Sequence, residues 1–469
     1  MTSIVALVAL AGCTPEVRLY PPASRDGGGT QAYDHVLIVS IDTLRADALG
    51  AYGGPSTPHL DALAEGGALF TAASTPAPTT LAAHTSMMTG TWPHTHGVPR
   101  NGFLVPDSQR MLAEILGDHG FYSAAFLGGF PLQSGFNFTQ GFDHVDEHFD
   151  MVKEGWRGCL GPEIEQNQRT AGSLNDALFT WLDRGGPPAD APKFLFVHYF
   201  DPHAPYSPPE PFRPEVDAQG SLDDRRAVRD RWPAPEAADL SAELGALYAG
   251  EVAYTDHAIG ELLAGLDRRS LLERTLVVVT SDHGESATEH DEIWDHGLGV
   301  WQETVHVPWI LSGPEISPIR IDGPVSTVDL APTVLDLLGI SMPAAMEGRT
   351  LKAALGGVAL QPRPAFSEAT KPRGGPAEEG VQWANIRKCR AVRIEGYKRI
   401  RCPMDGTAAL FDLDADPGET VEQTHALPDV AAKLDATLAA WDRDAAPPAT
   451  TFDDDPETIR QLEALGYSE

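Results

Sequence analysis

Three short apolar runs stand out along the chain, at residues 35–41, 194–199 and 275–280. They are rich in β-branched or aromatic side chains and show no alternation with polar residues. This pattern is typical of strands that are buried on both faces of a sheet. Acidic residues and histidines follow each run closely.

Helical patterns occupy the segments between these runs, and residues 57–65 give an example. Pro58 suits a first helical turn, Thr57 is expected to cap it, and Gly66 ends the pattern. Alternating strands and helices predict an α/β fold with a mainly parallel central sheet and helices on both faces. Ligands of such sheets bind beyond the carboxyl ends of the strands, so we expect the functional site there.

The pattern changes after Gly339 to proline-punctuated segments, which predicts a small C-terminal α+β subdomain. Residues 388–402 alternate around a turn signal at Glu395-Gly396, as an antiparallel hairpin does. A terminal helix is expected over residues 429–441.

Two cysteines flank this hairpin. Cys389 and Cys402 either form a disulfide across it, with Cys159 left free, or remain two unpaired small apolar residues. Four cysteines in the whole chain exclude a disulfide scaffold or a four-cysteine zinc module as the organising principle.

The composition is that of a folded protein of one to three domains, with 469 residues of which 42% are apolar. The chain has 67 acidic and 34 basic side chains, a formal charge of −33. Such a charge repels phosphate backbones and anionic lipid over most of the surface. We therefore expect no nucleic-acid partner.

The N-terminus carries an apolar segment, residues 4–12, followed by Cys13. The order Leu10-Ala11-Gly12-Cys13 resembles a bacterial lipoprotein signal, in which the cysteine thiol takes the lipid. The segment lacks a positive charge at its start, so a plain apolar terminus is the alternative. The lipoprotein interpretation predicts an exported protein of the bacterial cell envelope, with membrane contact through a lipid anchor at Cys13.

The organisation expected from these signals has four parts. They are a lipoprotein-type signal at 1–13, a flexible tether rich in proline and glycine at 14–32, a main domain at 33–345 and the C-terminal subdomain at 346–469.

Ligand-type side chains cluster at the ends of the three predicted strands. Asp42 follows the first, and Asp282 and His283 follow the third. Others follow the middle strand or lie downstream: His198, Asp201, His203, His290 and His296. Buried acids are costly unless they are paired or bind a metal, which favours a cation site over packing. Asp42 alone would equally suit a helix cap.

Thr80 is the candidate nucleophile. It follows Pro78 at the start of a predicted helix that stops at Gly90, where the helix dipole favours an anion or alkoxide. A threonine hydroxyl is inert near neutral pH until a base or metal activates it, and ordinary capping is the commoner use of threonine. His84, one turn further on, either bonds the nucleophile, orients the substrate or packs beneath the site.

These segments resemble, in order and spacing, the sulfatase family of the alkaline phosphatase superfamily. The resemblance extends from Val36 over nearly the whole remaining chain. Further matching segments are Thr57-Pro58-His59-Leu60-Asp61, residues 90–97, Asp201-Pro202-His203-Ala204-Pro205-Tyr206, Val307-Pro308, Val328-Asp329-Leu330-Ala331-Pro332-Thr333 and residues 410–419.

The resemblance implies a sulfatase-like catalytic domain at 33–345 with one divalent cation, Ca, Mg, Mn or Zn. Its ligands would be Asp42, Asp282, His283 and the Thr80 oxygen. His203 and His296 would contact the ester of a small-molecule, glycan or lipid substrate. Asp201 and Arg45 are further candidate substrate contacts, with a salt bridge from Arg45 to Asp47 as the alternative.

The chain departs from the family pattern at the nucleophile. Family sulfatases oxidise a cysteine, or serine, of the motif Cys-x-Pro-x-Arg to formylglycine, and counting back from Gly90 places Thr80 and His84 at the cysteine and arginine positions. Threonine cannot become formylglycine. The family lysines are also missing, since no lysine precedes Lys153 and none lies between Lys193 and Lys352.

Threonine at this position resembles the branch that includes phosphodiesterases, phosphomutases and lipoteichoic acid synthases. The resemblance therefore favours a hydrolase of phosphoesters over sulfate esters. The alternatives are a transferase of phospho-groups to glycan or lipid headgroups, and an inactive surface binding lipoprotein.

Four aromatic side chains near these motifs have two interpretations each. His94 and His96 either extend the cation site or are turn histidines, and Trp294 and Trp301 either line a substrate wall or pack in the core.

Overall fold

The computed structural model describes residues 32–149, 168–370 and 388–444, apart from 189, 291 and 404. The proposed lipid anchor at Cys13 and the tether before residue 32 lie outside the described residues, as does Cys159.

The described residues contain a central sheet of eight strands. These are β1 (His35–Ile41), β2 (Ala68–Ser74), β3 (Tyr122–Leu127), β4 (His144–Asp146), β5 (Lys193–Tyr199), β6 (Thr275–Ser281), β7 (Trp309–Ser312) and β8 (Ile319–Ser326). Their order is β4-β3-β5-β1-β6-β7-β2-β8, and β7 alone among these strands runs antiparallel to its neighbours. The predicted mainly parallel α/β fold is confirmed.

The three strands predicted from the sequence are β1, β5 and β6, and they are adjacent at the centre of the sheet. Ser40 in β1 pairs with His198 in β5 on one side and with Thr280 in β6 on the other. The carboxyl ends of these strands therefore lie level with one another, and the residues that follow them share one edge.

Helices cover both faces of the sheet. They are α1 (Pro58–Gly66), α2 (Thr80–Thr89), α3 (Pro93–His96), α4 (Leu112–Asp118), α5 (Ala171–Gly185), α6 (Leu222–Arg231), α7 (Pro235–Asp267), α8 (Gln302–Val305), α9 (Leu330–Leu337), α10 (Lys352–Leu355) and α11 (Pro428–Asp444). None of them, within the described part of the chain, has the length and apolarity that spanning a bilayer requires.

Alternate residues of β1 supply two separate cores. Val36 and Ile38 pack in the cluster that includes side chains of α2, α4 and α9, whereas Leu37 and Val39 pack with α5 and α7. Each such side chain, fully buried, contributes roughly 1.5–3 kcal/mol to folding. Burial on both faces explains why the strand shows no polar alternation.

The prediction that the Thr57 side chain caps α1 is wrong. Thr57 occupies the position before α1, with Pro58 in the first turn, but its hydroxyl does not cap the helix. Instead it donates to Asp61 over 2.9 Å and accepts from the Gly50 N–H over 3.2 Å. The Gly50 N–H, rather than a helix amide, donates to the hydroxyl oxygen, so Thr57 joins the helix to the preceding turn.

A second sheet lies towards the C-terminus. Its strands are β9 (Ala365–Glu368), β10 (Arg390–Ile394), β11 (Tyr397–Cys402) and β12 (Thr407–Asp412), antiparallel in the order β12-β11-β10-β9. The predicted hairpin is β10–β11, with its turn at Glu395-Gly396, and α11 packs against it. Cys389 and Cys402 form a disulfide.

The edge of this second sheet contacts the loop that precedes α2. The Glu368 N–H donates to the Pro76 carbonyl over 2.9 Å, and the Ser367 hydroxyl donates to the Thr75 carbonyl over 2.6 Å. The Thr370 N–H likewise donates to the Gly297 carbonyl over 2.8 Å. The C-terminal sheet therefore helps to position two segments that carry candidate site residues.

Candidate active site

The structure brings four of the predicted site residues together. Asp42 follows β1, Asp282 and His283 follow β6, and Thr80 begins α2; all four are fully buried. Ligand atoms of Asp42, Asp282 and His283 all lie within 4.8 Å of one another. The Thr80 hydroxyl donates to Asp42 Oδ2 over 3.3 Å.

Backbone contacts fix the loops that carry these carboxylates. Thr43 has a left-handed φ of 54°, which disfavours a β-branched residue by about 1–3 kcal/mol. Its N–H donates to Asp282 Oδ1 over 3.3 Å, and the Tyr248 hydroxyl donates to its carbonyl over 2.8 Å. The Leu44 N–H donates to the Ser281 hydroxyl over 3.1 Å, so the loops after β1 and β6 are held to each other.

His283 is oriented to present a lone pair to the carboxylates. Its Nδ1 lies 2.9 Å from the Gly284 carbonyl, which only accepts, so Nδ1 carries the proton. Nε2 lies 3.4 Å from Asp282 Oδ2 and 4.0 Å from Asp42 Oδ1. Metal-binding histidines commonly use this arrangement.

Burial and neighbouring charges shift the pKa values of the two acids and of His283. Burial raises the pKa of Asp42 to about 7, against the opposing effect of His283 and the Thr80 hydrogen bond. Burial and then the Asp42 charge raise the pKa of Asp282. Burial alone would lower the pKa of His283, but the two carboxylates outweigh it and raise that pKa.

Three atoms of this group lack a hydrogen-bond partner among the described residues: Asp42 Oδ1, Asp282 Oδ2 and His283 Nε2. Buried acceptors in this state are costly unless a cation or proton occupies the space between them. Carboxylate, imidazole and hydroxyl donors suit a hard or borderline divalent cation. The residues therefore fit the metal that the resemblance implies.

His84 lies against both the nucleophile and the acids. Its Nδ1 is 2.8 Å from the Thr80 carbonyl, its Nε2 is 2.8 Å from the Ser40 hydroxyl, and Nδ1 lies 3.7 Å from Asp282 Oδ2. It bonds the backbone of the nucleophile residue, not the Thr80 hydroxyl. His198 lies next to it, with Nε2 3.3 Å from Asp42 Oδ2. The sequence does mark His198, because it is a histidine within the otherwise apolar run of β5.

His203 and His296 lie beside this group. The His296 ring is 4.4 Å from that of His283 and 5.5 Å from that of His203, measured between centroids. His296 Nδ1 lies 3.3 Å from Glu285 Oε1, and the Tyr206 hydroxyl donates to Glu285 Oε2 over 3.1 Å. Glu285 therefore orients His296.

Sequence reasoning gave Glu285 no role, although it follows Asp-His-Gly directly. Arg225 on α6 also reaches this carboxylate, with 3.8 Å between Nη2 and Oε1. No local pattern points to Arg225, since α6 is far from the motifs in sequence.

Arg45 forms the salt bridge that was one of its two interpretations. Its guanidinium donates to both oxygens of Asp47 over 2.8 Å and to Glu289 over 2.6 Å. It lines a cavity of about 280 Å³ together with Tyr248 and Trp294. Asp201 is buried after β5, and burial, followed by the Asp201 charge, raises the pKa of Tyr199. The substrate contacts expected of Arg45 and Asp201 stay predictions.

The remaining aromatic candidates pack or bond elsewhere. The His94 ring lies 4.5 Å from Trp441, and His96 Nε2 lies 2.9 Å from the Ser86 hydroxyl. Trp294 donates to Ser241 over 2.8 Å, and Trp301 stacks on His290. These contacts favour packing roles.

A buried lysine, Lys388, approaches this region from the C-terminal sheet. It lies 3.7 Å from Glu368, next to the strand that supports the loop before α2. Burial, and then the charges of His94 and Lys388, lower the pKa of His96. The absence of lysine between Lys193 and Lys352 gave no hint of this cation.

The mainly parallel α/β fold and the buried carboxylate–histidine group are those expected of a hydrolase that binds a divalent metal. Residues 34–340 match the model of the Sulfatase family, and residues 289–444 match that of the C-terminal part of N-sulphoglucosamine sulphohydrolase. The chain belongs to the Sulfatase family.

Curated relatives are enzymes of this family. The chain is 28% identical to the ulvan-active sulfatase of Formosa agariphila over 82% of its own length and 75% of the relative's. It is 26% identical to the choline-sulfatase of Rhizobium meliloti, over 83% and 82% of the two chains.

Solved structures share the fold. The phosphonate monoester hydrolase of Silicibacter pomeroyi gives a TM-score of 0.69 at 21% identity, covering 88% of this chain and 96% of that one. A protein solved with its substrate D-glucosamine-2-N,6-O-disulfate gives 0.69 at 20% identity, covering 91% and 99%.

Proposed function

We propose that this protein is a divalent-cation-dependent esterase that uses Thr80 as its nucleophile and prefers phosphorus esters to sulfate esters. The observation that carries the proposal is the Thr80 hydroxyl, 3.3 Å from Asp42 at the start of α2, beside the group Asp42, Asp282 and His283. The fold shared with phosphonate monoester hydrolases supports it.

Threonine sets the substrate preference. A formylglycine hydrate has a second hydroxyl that can expel a bound group, whereas threonine has none. A threonyl ester must therefore be opened by water at its central atom. In-line displacement of this kind is the ordinary course of metal-assisted phosphoryl transfer.

Asp42, Asp282, His283 and the Thr80 oxygen would hold a divalent cation, which would supply the Lewis acidity that lowers the pKa of the Thr80 hydroxyl, so that its proton passes to solvent. Thr80 Oγ1 then forms a bond to phosphorus while the bond from phosphorus to the leaving alcohol breaks. The amino end of α2 favours the negative charge that develops there.

His296 protonates the leaving oxygen. The Glu285 carboxylate lies against Nδ1 and stabilises the imidazolium form. Burial, and then the His296 charge, lower the pKa of His203 well below its usual range, so His203 stays neutral and orients the ester. In the second step neutral His296 takes a proton from water, which attacks phosphorus and displaces the Thr80 oxygen as the alkoxide that begins the next cycle.

A hydrolysis panel tests the proposal. Aryl sulfate, phosphate monoester, phosphate diester and phosphonate monoester are offered to chelator-treated protein with Mg²⁺, Ca²⁺, Mn²⁺ or Zn²⁺. We expect no turnover without cation, and with it at least about tenfold faster cleavage of a phosphorus ester than of aryl sulfate. Fastest cleavage of the sulfate, or no hydrolysis of any ester, would overturn the proposal.

A further inference from the structure

Arg225 is a buried cation on α6, and its side chain is only 7% exposed. A buried guanidinium costs more free energy than an apolar side chain of similar size unless its N–H groups are bound. The helix directs Arg225 inward, because Val228, on the same helix face, packs in the core that also contains side chains of α7. The partners of Arg225 therefore indicate why a cation occupies this position.

The guanidinium binds two points of the segment that leads to His296. Its Nε donates to the Trp294 carbonyl over 2.8 Å, and its Nη2 donates to the same carbonyl. Nη2 also lies 3.8 Å from Glu285 Oε1, the oxygen that faces His296 Nδ1. Arg225 thus connects the beginning of this segment, at Glu285, with its end at Trp294.

Trp294 has a backbone conformation that needs such support. Its φ is 48°, in the left-handed region that bulky residues rarely adopt. Its N–H donates to the Ala287 carbonyl over 2.9 Å, and its ring N–H donates to the Ser241 hydroxyl over 2.8 Å. The Arg225 fork on its carbonyl adds to these contacts, and strained backbone persists only where surrounding contacts fix it. The peptide group held in this way closely precedes His296.

Arg229, one turn further along α6, binds the next residue of the segment. Its Nη2 donates to Asp295 Oδ2 over 3.0 Å, and Asp295 Oδ1 accepts the His296 N–H over 2.9 Å. The Arg229 side chain is 44% exposed, so its ion pair contributes less than a buried contact. The helix α6 therefore holds two successive residues directly before His296.

We infer that Arg225 is a positioning residue, which places the His296 ring within reach of the leaving oxygen by holding Trp294 and Glu285. The inference rests on the proposed function of His296 as the proton donor. A general acid acts only within hydrogen-bond reach of the oxygen that it protonates, so a small displacement of the ring lowers its contribution. Esters of acidic alcohols need little protonation and should be affected least.

The dependence on the leaving group tests the inference. Phenyl and para-nitrophenyl esters of the phosphorus acid that the wild type hydrolyses fastest are compared in metal-loaded protein. We expect Arg225→Met to lower kcat for the phenyl ester by about 10–100-fold and for the nitrophenyl ester by less than about threefold, with little change in KM. A role in folding alone would lower both rates by the same factor, and that result would overturn the inference.

Arg226→Met is the matched control, since Arg226 is the next residue of α6 but is exposed and pairs with Asp223. Both rates should stay unchanged in this variant. Histidine-ring NMR of metal-free protein gives a readout without turnover, with the His296 signals assigned by their loss in His296→Gln. These signals should shift in Arg225→Met and not in Arg226→Met. Unshifted signals in Arg225→Met would overturn the inference.

Failure of the inference is distinguishable from failure of the proposed function. A wild type that hydrolyses neither ester would overturn both, whereas equal losses for the two esters in Arg225→Met would overturn the inference alone. If Arg225→Met does not fold, Arg225→Lys replaces it, because lysine keeps the charge but lacks the planar fork that binds the Trp294 carbonyl. A larger loss for the phenyl ester then supports the inference, and equal losses overturn it.

Discussion

Thr80 is the proposed nucleophile, and its hydroxyl lies 3.3 Å from Asp42 Oδ2 within the candidate cation site. Replacing it with alanine removes the nucleophile but leaves the carboxylates and His283 in place. We expect Thr80→Ala to lower kcat/KM for a phosphorus ester by about 10³-fold or more.

The comparison with Thr80→Ser separates chemistry from packing. Serine keeps the hydroxyl and should stay within roughly tenfold of the wild type. Equal losses in the two variants, with unchanged thermal stability, would show that the hydroxyl is not the reacting group.

Glu285 acts through another residue and is a positioning residue. Its carboxylate stabilises the His296 imidazolium, so Glu285→Gln should lower kcat by about 10–100-fold with little change in KM. The pKa of His296 should fall as well, which moves the high-pH limb of the kcat profile to lower pH.

Glu289→Gln is the control for this variant. Glu289 lies on the same loop but bonds Arg45 at the cavity, and its loss should leave kcat unchanged. An unshifted pH profile in Glu285→Gln would contradict the positioning role.

The sequence identified the residues that directly follow the ends of strands. Asp42, Asp282 and His283 were predictable because a parallel sheet brings the carboxyl ends of its strands together. Glu285 was not, since its role depends on its contact with His296. Arg225 was not either, since its role depends on a contact between α6 and a loop about 60 residues away. Local patterns carry no information on such contacts.

At the scale of elements, the C-terminal sheet supports the loop before the nucleophile helix. Its strand β9 bonds Thr75 and Pro76, and the Cys389–Cys402 disulfide closes the neighbouring hairpin. Changing both cysteines to alanine should lower the free energy of unfolding by roughly 2–4 kcal/mol.

Reductant supplies the control for this prediction. It should lower the thermal midpoint of the wild type and leave that of the double alanine variant unchanged. A wild-type midpoint that does not respond to reductant in denaturing conditions would contradict a stabilising disulfide.

Elements differed in how far their sequence revealed them. The branched and aromatic runs of β1, β5 and β6 were recognisable as strands from the sequence, and the turn of the β10–β11 hairpin was recognisable as well. In contrast β2 is rich in alanine, and β8 contains Gly323-Pro324, so neither shows a strand pattern. Both are strands because the sheet supplies their partners, which illustrates how tertiary context overrides propensity.

At the scale of the whole molecule, the buried acids make the stability of the folded protein depend on pH and on metal binding. The folded-state pKa of Asp42, about 7, lies above its value in the unfolded chain. In metal-free protein its contribution to stability is therefore present at low pH and lost as pH rises towards and through about 7.

Comparison with Asp42→Asn isolates this contribution from those of buried histidines, such as His84, whose pKa burial lowers to about 3. We expect metal-free Asp42→Asn to be more stable than the wild type at about pH 8, with the difference shrinking towards about pH 5. Added divalent cation should reverse the order at the higher pH, because only the wild type has the full ligand set. A pH-independent difference in thermal midpoint would contradict the burial of an ionisable Asp42.

The most direct measurement is mass spectrometry of the protein quenched within its first turnovers of a phosphorus ester. The account predicts a phosphoryl or phosphonyl adduct on the peptide that contains Thr80, which disappears when substrate is exhausted and is absent from Thr80→Ala. An adduct on another residue, or undiminished turnover by Thr80→Ala, would contradict it.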